Sequence, residues 1–225
     1  GQARIITAPS RFLTNTFTRE VPGVDAQVVP HGMNYSLMKQ RRVVYKKNDT
    51  VTFCFAGSLI ALKGVLVLIE AFKKVRSVGA ALKIYGSGPD DAYERQLRAQ
   101  AAEDKRIQFC GVFNMEDAGN IFSAADVVVV PSLAYENYPL VLHEALACRT
   151  PVIASNAGGM AERMVHGANG FLFDMGDQDH LARILQAVTD DPTVLNRLRE
   201  GIDRMTSPTV EQEAYLYERI YRQMA

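Results

Sequence analysis

Residues 127–155, VVVVPSLAYENYPLVLHEALACRTPVIAS, carry the pattern that decides the fold. The four valines at 127–130 do not alternate with polar residues, which is typical of a strand buried on both faces of a parallel sheet. A polar loop follows, then a helical pattern at residues 140–147 and a second apolar run at 151–154. Strand, helix and strand in this order predict a βαβ unit.

The same alternation continues on both sides of this unit. Further strands are predicted at residues 51–56, 81–85, 107–110 and 171–173, and further helices at 63–78, 91–102, 115–125 and 160–165. Short connections between them indicate the α/β class, with a Rossmann-like doubly wound parallel sheet. Three successive helices are predicted after this sheet, at residues 179–189, 192–205 and 210–224.

Composition excludes several classes of protein. The chain has 225 residues, 48% of them hydrophobic, so it can form a core and is not disordered. It has 25 basic and 25 acidic residues, and this zero net charge argues against a general nucleic-acid-binding protein. Stretches without a charged side chain, such as residues 26–38, reach at most thirteen residues, which is shorter than the roughly 20 residues of a spanning helix.

The cysteine pattern indicates the compartment. Cys54, Cys110 and Cys148 form no CxxC pair, and each lies among apolar residues, so all three are predicted to be small buried hydrophobes. Thiols in a chain without a disulfide pattern favour a reduced, cytoplasmic setting. Attachment to the inner face of the cell membrane stays open. The basic segment at residues 39–47 is interpreted as a solvated linker rather than a membrane-binding patch.

Candidate ligand-binding residues lie in loops that follow predicted strands, where open α/β sheets bind their ligands. Residues 57–64 place a glycine and Lys63 near a helix start, which suits an anion, although such a lysine is more often simple surface. Residues 86–89, Gly-Ser-Gly-Pro, are favoured as a tight turn over a ligand loop. The glycine pair of residues 158–159 lets the backbone approach a ligand closely.

Residues 131–144 form the strongest of these loops. Pro139 suits the first position of the following helix, whose free N–H groups and positive dipole end would attract a diphosphate. Glu144 lies about 7–8 Å further along the helix axis and could accept hydrogen bonds from ribose hydroxyls. Glu136 would lie beside the group that the diphosphate carries. The alternatives are a loop acid that caps the helix and a solvent-facing glutamate.

Taken in order, these motifs resemble the C-terminal half of retaining GT-B glycosyltransferases of the family-four type. The resemblance covers residues 27–185, and its signature is a pair of glutamates separated by seven residues. The matching motifs are Gly57…Lys63-Gly64, Gly86-Ser87-Gly88-Pro89, Gly111, Pro131-Ser132, Glu136-Asn137-Tyr138-Pro139-Leu140…Glu144-Ala145 and Gly158-Gly159.

The resemblance implies a site for a nucleotide-diphosphate sugar linked to UDP, GDP or ADP. It assigns catalysis to Glu136 and Lys63, with Lys63 facing the diphosphate and Glu144 binding the ribose. The other donor-binding residues that it implies are Gly57, Ser58, Gly86, Ser87, Gly88, Val112, Phe113, Asn137, Tyr138, Pro139 and Leu140. It further implies transfer with retention of configuration to a glycan or lipid-linked sugar, as in polysaccharide biosynthesis, without a metal ion or cofactor.

Two departures from the family pattern matter. Ser58 stands where family members usually carry an arginine, which removes a bidentate phosphate donor. The resemblance implies that this chain contains almost none of the acceptor-binding domain, since only residues 4–17 resemble its last strand and helix. The expected division is a lead-in segment and linker at 1–47, a donor-binding domain at 48–206, and a helix at 207–225 that would cross to the acceptor domain. The isolated chain is expected to be inactive.

Two other functions are alternatives to this one. A stand-alone nucleotide-sugar-binding module, without catalytic activity, would rely on a partner chain for the acceptor half. A nicotinamide-dependent oxidoreductase is disfavoured because Asp91 replaces the third glycine of the dinucleotide fingerprint. His143, which precedes Glu144, is expected to pack rather than to act as a base.

Overall fold

The computed structural model describes residues 5–23, 26–40 and 43–224. Within them the strands form two separate sheets, and all paired strands run parallel. The strands are β1 (Ile6–Ala8), β2 (Ala26–Val28), β3 (Val51–Ala56), β4 (Ala80–Tyr85), β5 (Ile107–Gly111), β6 (Val127–Val130), β7 (Val152–Ser155) and β8 (Gly170–Phe173). The small sheet pairs β1 with β2, and the large one has the order β5-β4-β3-β6-β7-β8. This order confirms the predicted Rossmann-like doubly wound sheet, whose direction of winding switches between β3 and β6.

Helices cover both faces of the large sheet. They are α1 (Arg11–Glu20), α2 (Val65–Lys73), α3 (Asp91–Ala101), α4 (Ala118–Ala124), α5 (Leu140–Ala147), α6 (Gly158–Arg163), α7 (Gln178–Asp190), α8 (Val194–Asp203) and α9 (Val210–Met224). The three predicted C-terminal helices are confirmed as α7, α8 and α9. In the part of the chain that the structure describes, no helix has both the length and the apolar character needed to cross a bilayer.

The apolar strands are explained by two hydrophobic cores. Alternate residues of β3 point to opposite faces: Phe53 and Phe55 join the core under α2 and α7, whereas Cys54 joins the core under α4 and α5. In β6, Val127 and Val129 enter the first core, and the two valines between and after them enter the second. Because both faces are covered, an unbroken valine run is favourable here.

Helix α2 ends at Lys73, five residues before its predicted end at residue 78. The cause is Arg106, whose Nη1 donates to the carbonyl oxygens of Val75 and Ser77 at 2.7 and 2.8 Å. Asp104 holds the same guanidinium at 2.6 Å. This long-range arginine binds the backbone that the local pattern assigns to the helix.

The lead-in segment is more structured than the sequence predicts. The strand and helix expected at residues 4–17 correspond to β1 and α1, although Arg4 lies outside the described residues. Strand β2 was missed because it has three residues, two of them exposed. The linker continues to Tyr45, which is buried with its hydroxyl 2.5 Å from Asp126. Arg41 and Arg42 of the basic segment lie outside the described residues.

The prediction for the cysteines is correct for two of them and wrong for the third. Cys54 and Cys148 are buried, whereas Cys110 is exposed. Cys110 lies on the edge strand β5, where Phe109 pairs with Ile84 and Gly111 with Tyr85, so Cys110 is the extra residue of a β-bulge. Burial raises the pKa of the Cys54 thiol to about 12, so this thiol stays protonated at neutral pH.

Candidate functional site

The loops that follow β3 and β6 are joined at the point where the sheet switches direction. The N–H of Leu133 donates to the carbonyl oxygen of Leu62 at 2.8 Å, and Ser132 Oγ lies 3.2 Å from the same oxygen. Gly64 has a φ of 70°, and a Cβ built on it would lie 1.8 Å from the carbonyl oxygen of Pro131. Only glycine allows this contact, which brings the two loops together.

Lys63 and Glu136 meet across these joined loops. Lys63 Nζ lies 2.7 Å from Glu136 Oε1, and the Ser132 hydroxyl donates to the same oxygen at 2.9 Å. The side chains are 37% and 19% exposed, respectively. An ion pair with this exposure adds little stability. The lysine can therefore exchange its carboxylate partner for another anion at small cost.

A cavity of about 330 Å³ opens beside this ion pair. Lys63 is the one cationic side chain among the described residues that line it. Leu140 and Val141, at the start of α5, line it too, and their N–H groups donate to no described residue. Free N–H groups, the positive end of a helix dipole and an ammonium group together form a site for an anion. The predicted residues that line the cavity are Gly57, Ser58, Lys63, Glu136, Tyr138, Pro139 and Leu140.

Pro139 lies one position earlier than predicted. It precedes the first helical residue, with extended backbone angles of −68° and 103°, and it caps α5 without a side-chain hydrogen bond. The carbonyl oxygen of Pro139 accepts from the N–H groups of Leu142 and His143. With Pro139 before the first helical residue, the N–H groups of Leu140 and Val141 are still free, as the predicted diphosphate site requires.

The Gly86-Ser87-Gly88 loop adjoins the loop after β3 but does not line the cavity. The N–H of Leu59 donates to the carbonyl oxygen of Ser87 at 2.9 Å. A Cβ on Gly86 would lie 1.8 Å from the carbonyl oxygen of Gly57. These glycines thus serve the close packing of two neighbouring loops.

Four further predicted residues lie outside the cavity lining. Val112 is 72% exposed, and Asn137 is exposed at the tip of its loop. The Phe113 ring meets the edge of Tyr85 at 6.2 Å between centroids. Glu144 is half-buried on α5, and burial raises the pKa of its carboxyl group. Its carboxylate forms no hydrogen bond or ion pair with a described residue.

The glycine pair at the start of α6 meets protein rather than open space. Gly159 donates its N–H to the carbonyl oxygen of Glu136 at 2.7 Å. A Cβ on Gly158 would lie 2.7 Å from that oxygen, and one on Gly159 would lie 2.2 Å from the carbonyl oxygen of Asn137. The close approach that was expected of a ligand is therefore made by the loop that carries Glu136. The two glycines pack against the backbone of that loop.

Sequence reasoning assigned no role to Ser132 or to the contacts of the two tyrosines in this loop. Ser132 is buried and holds Glu136. Tyr135 stacks on Phe12 of α1, with ring centroids 6.0 Å apart. Tyr138 stacks on His143 at 3.7 Å. The Pro131-Ser132 motif was a sequence signal that could have pointed to the role of Ser132. The partner of Tyr135 lies over one hundred residues away in the chain, so no local pattern indicates that contact.

His143 packs as expected, and this packing predicts a pH dependence of stability. It is 4% exposed with an unpartnered Nδ1, and burial, reinforced by Arg163 and His31, lowers its pKa from 6.5 to about 3. The unfolded chain therefore binds a proton that the folded chain excludes as the pH falls below about 6.5. This group costs about 2 kcal/mol of stability between pH 7 and pH 5.

Urea unfolding at the two pH values measures this loss. His143→Phe keeps a ring against Tyr138, and we expect it to reduce the loss by about 2 kcal/mol. The exposed His166 provides the control, since His166→Phe should leave the loss unchanged. Equal losses in wild type and His143→Phe would show that burial does not control this titration.

One group of metal-type ligands lies elsewhere, in Asp174, Asp177 and His180, whose ligand atoms lie within 4.8 Å of one another. Asp177 accepts from the N–H groups of Asp179 and His180, so it caps α7. These contacts give the cluster a structural explanation.

Comparison with known proteins identifies the family of the chain. The family model for glycosyl transferases group 1 matches residues 38–205. The D-inositol 3-phosphate glycosyltransferase of Pseudarthrobacter chlorophenolicus is 31% identical over 212 residues, which cover 85% of this chain and 50% of that protein. The chain thus spans about half the length of the curated relatives that it matches.

Solved structures show the same fold. Sucrose-phosphate synthase from Thermosynechococcus elongatus superposes with a TM-score of 0.83 at 27% identity, covering 99% of this chain and 59% of that one. HepE from Anabaena in complex with UDP gives 0.84 at 22% identity, covering 98% and 64%. With the family model matching most of its length, the chain belongs to the glycosyl transferases group 1 family.

Proposed function

We propose that the cavity between the β3 and β6 loops binds the diphosphate of a nucleotide sugar, and that the chain is the donor-binding part of a retaining glycosyltransferase. The observation that carries this proposal is the convergence of Lys63 with the free N–H groups of Leu140 and Val141 on one cavity. The UDP complex of the structurally similar HepE supports a nucleotide as the ligand.

The ion pair suggests how these residues act. A diphosphate in the cavity attracts Lys63 away from Glu136, and the carboxylate then faces the sugar. As the bond from the anomeric carbon to the phosphate oxygen breaks, negative charge grows on the leaving diphosphate. Lys63 and the start of α5 stabilise that charge without reorganisation, which lowers the barrier. The oxygen of the acceptor hydroxyl bonds to the anomeric carbon on the same face of the sugar that the diphosphate leaves, and its proton passes to the oxygen of the departing diphosphate.

The remaining donor contacts follow from the neighbouring elements. Glu144 has a half-buried carboxylate without a described partner, which suits two ribose hydroxyls. The Gly86–Gly88 loop and Val112-Phe113 would flank the base beyond the cavity. Since Ser58 carries no charge, Lys63 is the one cationic side chain of the described cavity lining that would meet the diphosphate.

We also propose that residues 1–47 and 207–225 belong to the edge of an acceptor domain, and that 48–206 form the donor domain. β1 and β2 make a two-stranded parallel sheet, and parallel strands normally form part of larger sheets with both faces covered. Phe17, Val21 and Val28 are 40%, 43% and 39% exposed beside this pair. On this account the acceptor domain completes the sheet, and the chain alone transfers no sugar.

Calorimetric titration of the chain with UDP-, GDP- and ADP-glucose tests the proposal. We expect saturable one-to-one binding of at least one of these donors, and much weaker binding of the matching nucleoside, which lacks the diphosphate. Failure of all three to bind would contradict a donor site. Sugar transfer by the chain alone would contradict the division into donor and acceptor domains, and binding without transfer after addition of an acceptor domain would favour a stand-alone binding module.

A further inference from the structure

The loop at residues 131–139, between β6 and α5, is called the donor loop. It contacts a part of the chain outside the large sheet. Tyr138 lines the cavity with its ring, while its hydroxyl donates to the backbone carbonyl oxygen of His31 at 3.0 Å. The His31 ring meets the edge of the Tyr138 ring at 5.2 Å between centroids. On its other face Tyr138 stacks on the buried His143 at 3.7 Å, nearly parallel. Tyr138 is thus held between α5 and the segment that follows β2.

Helix α9 fixes the position of His31. One carboxylate oxygen of Glu213 lies 3.1 Å from His31 Nδ1, and the other accepts the N–H of Gly32 at 2.8 Å. The N–H of Met33 donates to the carbonyl oxygen of Pro208, just before α9, at 2.9 Å. A Cβ on Gly32 would lie 2.3 Å from the carbonyl oxygen of Thr209. These contacts make residues 31–33 and the start of α9 one packed unit.

A continuous chain of contacts therefore runs from Glu213 through His31 to Tyr138 and the donor loop. Glu213 does not line the cavity, and this chain of contacts connects it to residues that do. Tyr138 is two residues from Glu136, the partner of Lys63. A shift of α9 that moves His31 also moves the tyrosine that adjoins this carboxylate.

We propose that Glu213 and His31 are positioning residues that hold Tyr138 and the donor loop in the binding geometry, so that the placement of α9 controls donor affinity. The proposal rests on the proposed function, because the affinity in question is that of a nucleotide sugar. Loss of this link lets the loop sample positions in which the cavity is not formed, and affinity falls in proportion to the fraction that remains competent.

The test on the unliganded chain uses hydrogen exchange. Glu213→Ala should speed amide exchange of Glu136 and Gly159 several-fold, because their N–H groups donate to carbonyl oxygens of the loop, which loses its support. The matched control is Glu218→Ala on the same helix, where the glutamate pairs with Arg222 on the helix surface at 2.6 Å. This control should leave exchange in the loop unchanged. The proposal is overturned if loop exchange is unchanged in Glu213→Ala while circular dichroism shows the helix content of the wild type. This outcome decides the proposal whether or not the chain binds nucleotide.

The second test measures affinity, with UDP as the probe in calorimetry. Tyr138→Phe removes only the hydroxyl that binds His31, and we expect it and Glu213→Ala each to weaken UDP binding about 3- to 10-fold. The double variant should bind no more weakly than the weaker single variant, because both changes break one link. Tyr135→Phe, in the same loop, removes a hydroxyl that bonds no described residue and should bind UDP like wild type.

A merely structural role gives a different result. If Glu213 only stabilised the fold, the two fold-changes would multiply in the double variant, or affinity would stay at the wild-type value well below the unfolding temperature. Either result overturns the positioning role. If wild type fails to bind UDP, GDP and ADP, the proposed function fails, and the exchange experiment still decides the link between α9 and the loop.

Discussion

Replacing Lys63 with Met weakens the binding of a nucleoside diphosphate about 100-fold, which corresponds to about 2.7 kcal/mol. Lys63 is the one cationic side chain that lines the cavity in the described part of the chain. Methionine keeps an unbranched apolar stem but removes the charged hydrogen-bond donor, and a charge-assisted hydrogen bond contributes about 1.5–3 kcal/mol. Calorimetric titration of the variant with UDP measures the change in affinity.

Lys74 provides the matched control. Its Nζ pairs with Asp179 at 2.6 Å on the surface between α2 and α7, away from the cavity. Lys74→Met therefore removes one positive charge from the protein without touching the site, and we expect affinity within twofold of wild type. If Lys63→Met binds UDP as tightly as Lys74→Met does, Lys63 is not part of the binding site.

Substituting Gly64 with Ala destabilises the fold by about 3–5 kcal/mol, since two costs add. The residue has a φ of 70°, which strains any residue with a Cβ, and the new Cβ would lie 1.8 Å from the carbonyl oxygen of Pro131. Backbone must move to relieve this collision, and that movement separates the loops that carry Lys63 and Glu136. Urea unfolding measures the loss in the free energy of unfolding.

Gly111→Ala separates the two costs. Gly111 has a φ of 78°, close to that of Gly64, but a Cβ there meets nothing within 4 Å. Its substitution costs only the backbone strain, about 1–2 kcal/mol. The difference between the two variants is then the cost of relieving the collision between the new Cβ and the carbonyl oxygen of Pro131. Similar losses for both would mean that the loops are not held as close as the structure shows.

The large sheet was predictable because each of its strands can be identified from the apolar residues of its own segment. The valines at 127–130 and the run at 51–56 are apolar on both faces, and the structure buries them between two cores. The positions of Lys63, Glu136 and the start of α5 follow from the rule that strand ends at the switch point form the site. For these residues, sequence order and one topological rule are sufficient.

Other features depend on contacts between distant residues, which no local pattern records. Arg106 ends α2 by binding carbonyl oxygens about thirty positions earlier in the chain. The exposed Cys110 lies at a β-bulge in the pairing of the edge strand β5 with β4. The link from Glu213 to His31 joins residues 182 positions apart. The sequence contains the groups for these contacts, but only the fold brings them together.

The most direct measurement of the central claim is an amide NMR titration of the 15N-labelled chain with UDP. If the cavity binds the diphosphate, the amide signals of Ser58, Leu140 and Val141 shift most and saturate with one equivalent, since these residues line the cavity. Saturating shifts centred on another surface, such as the groove near His166 and Phe171, would contradict the account.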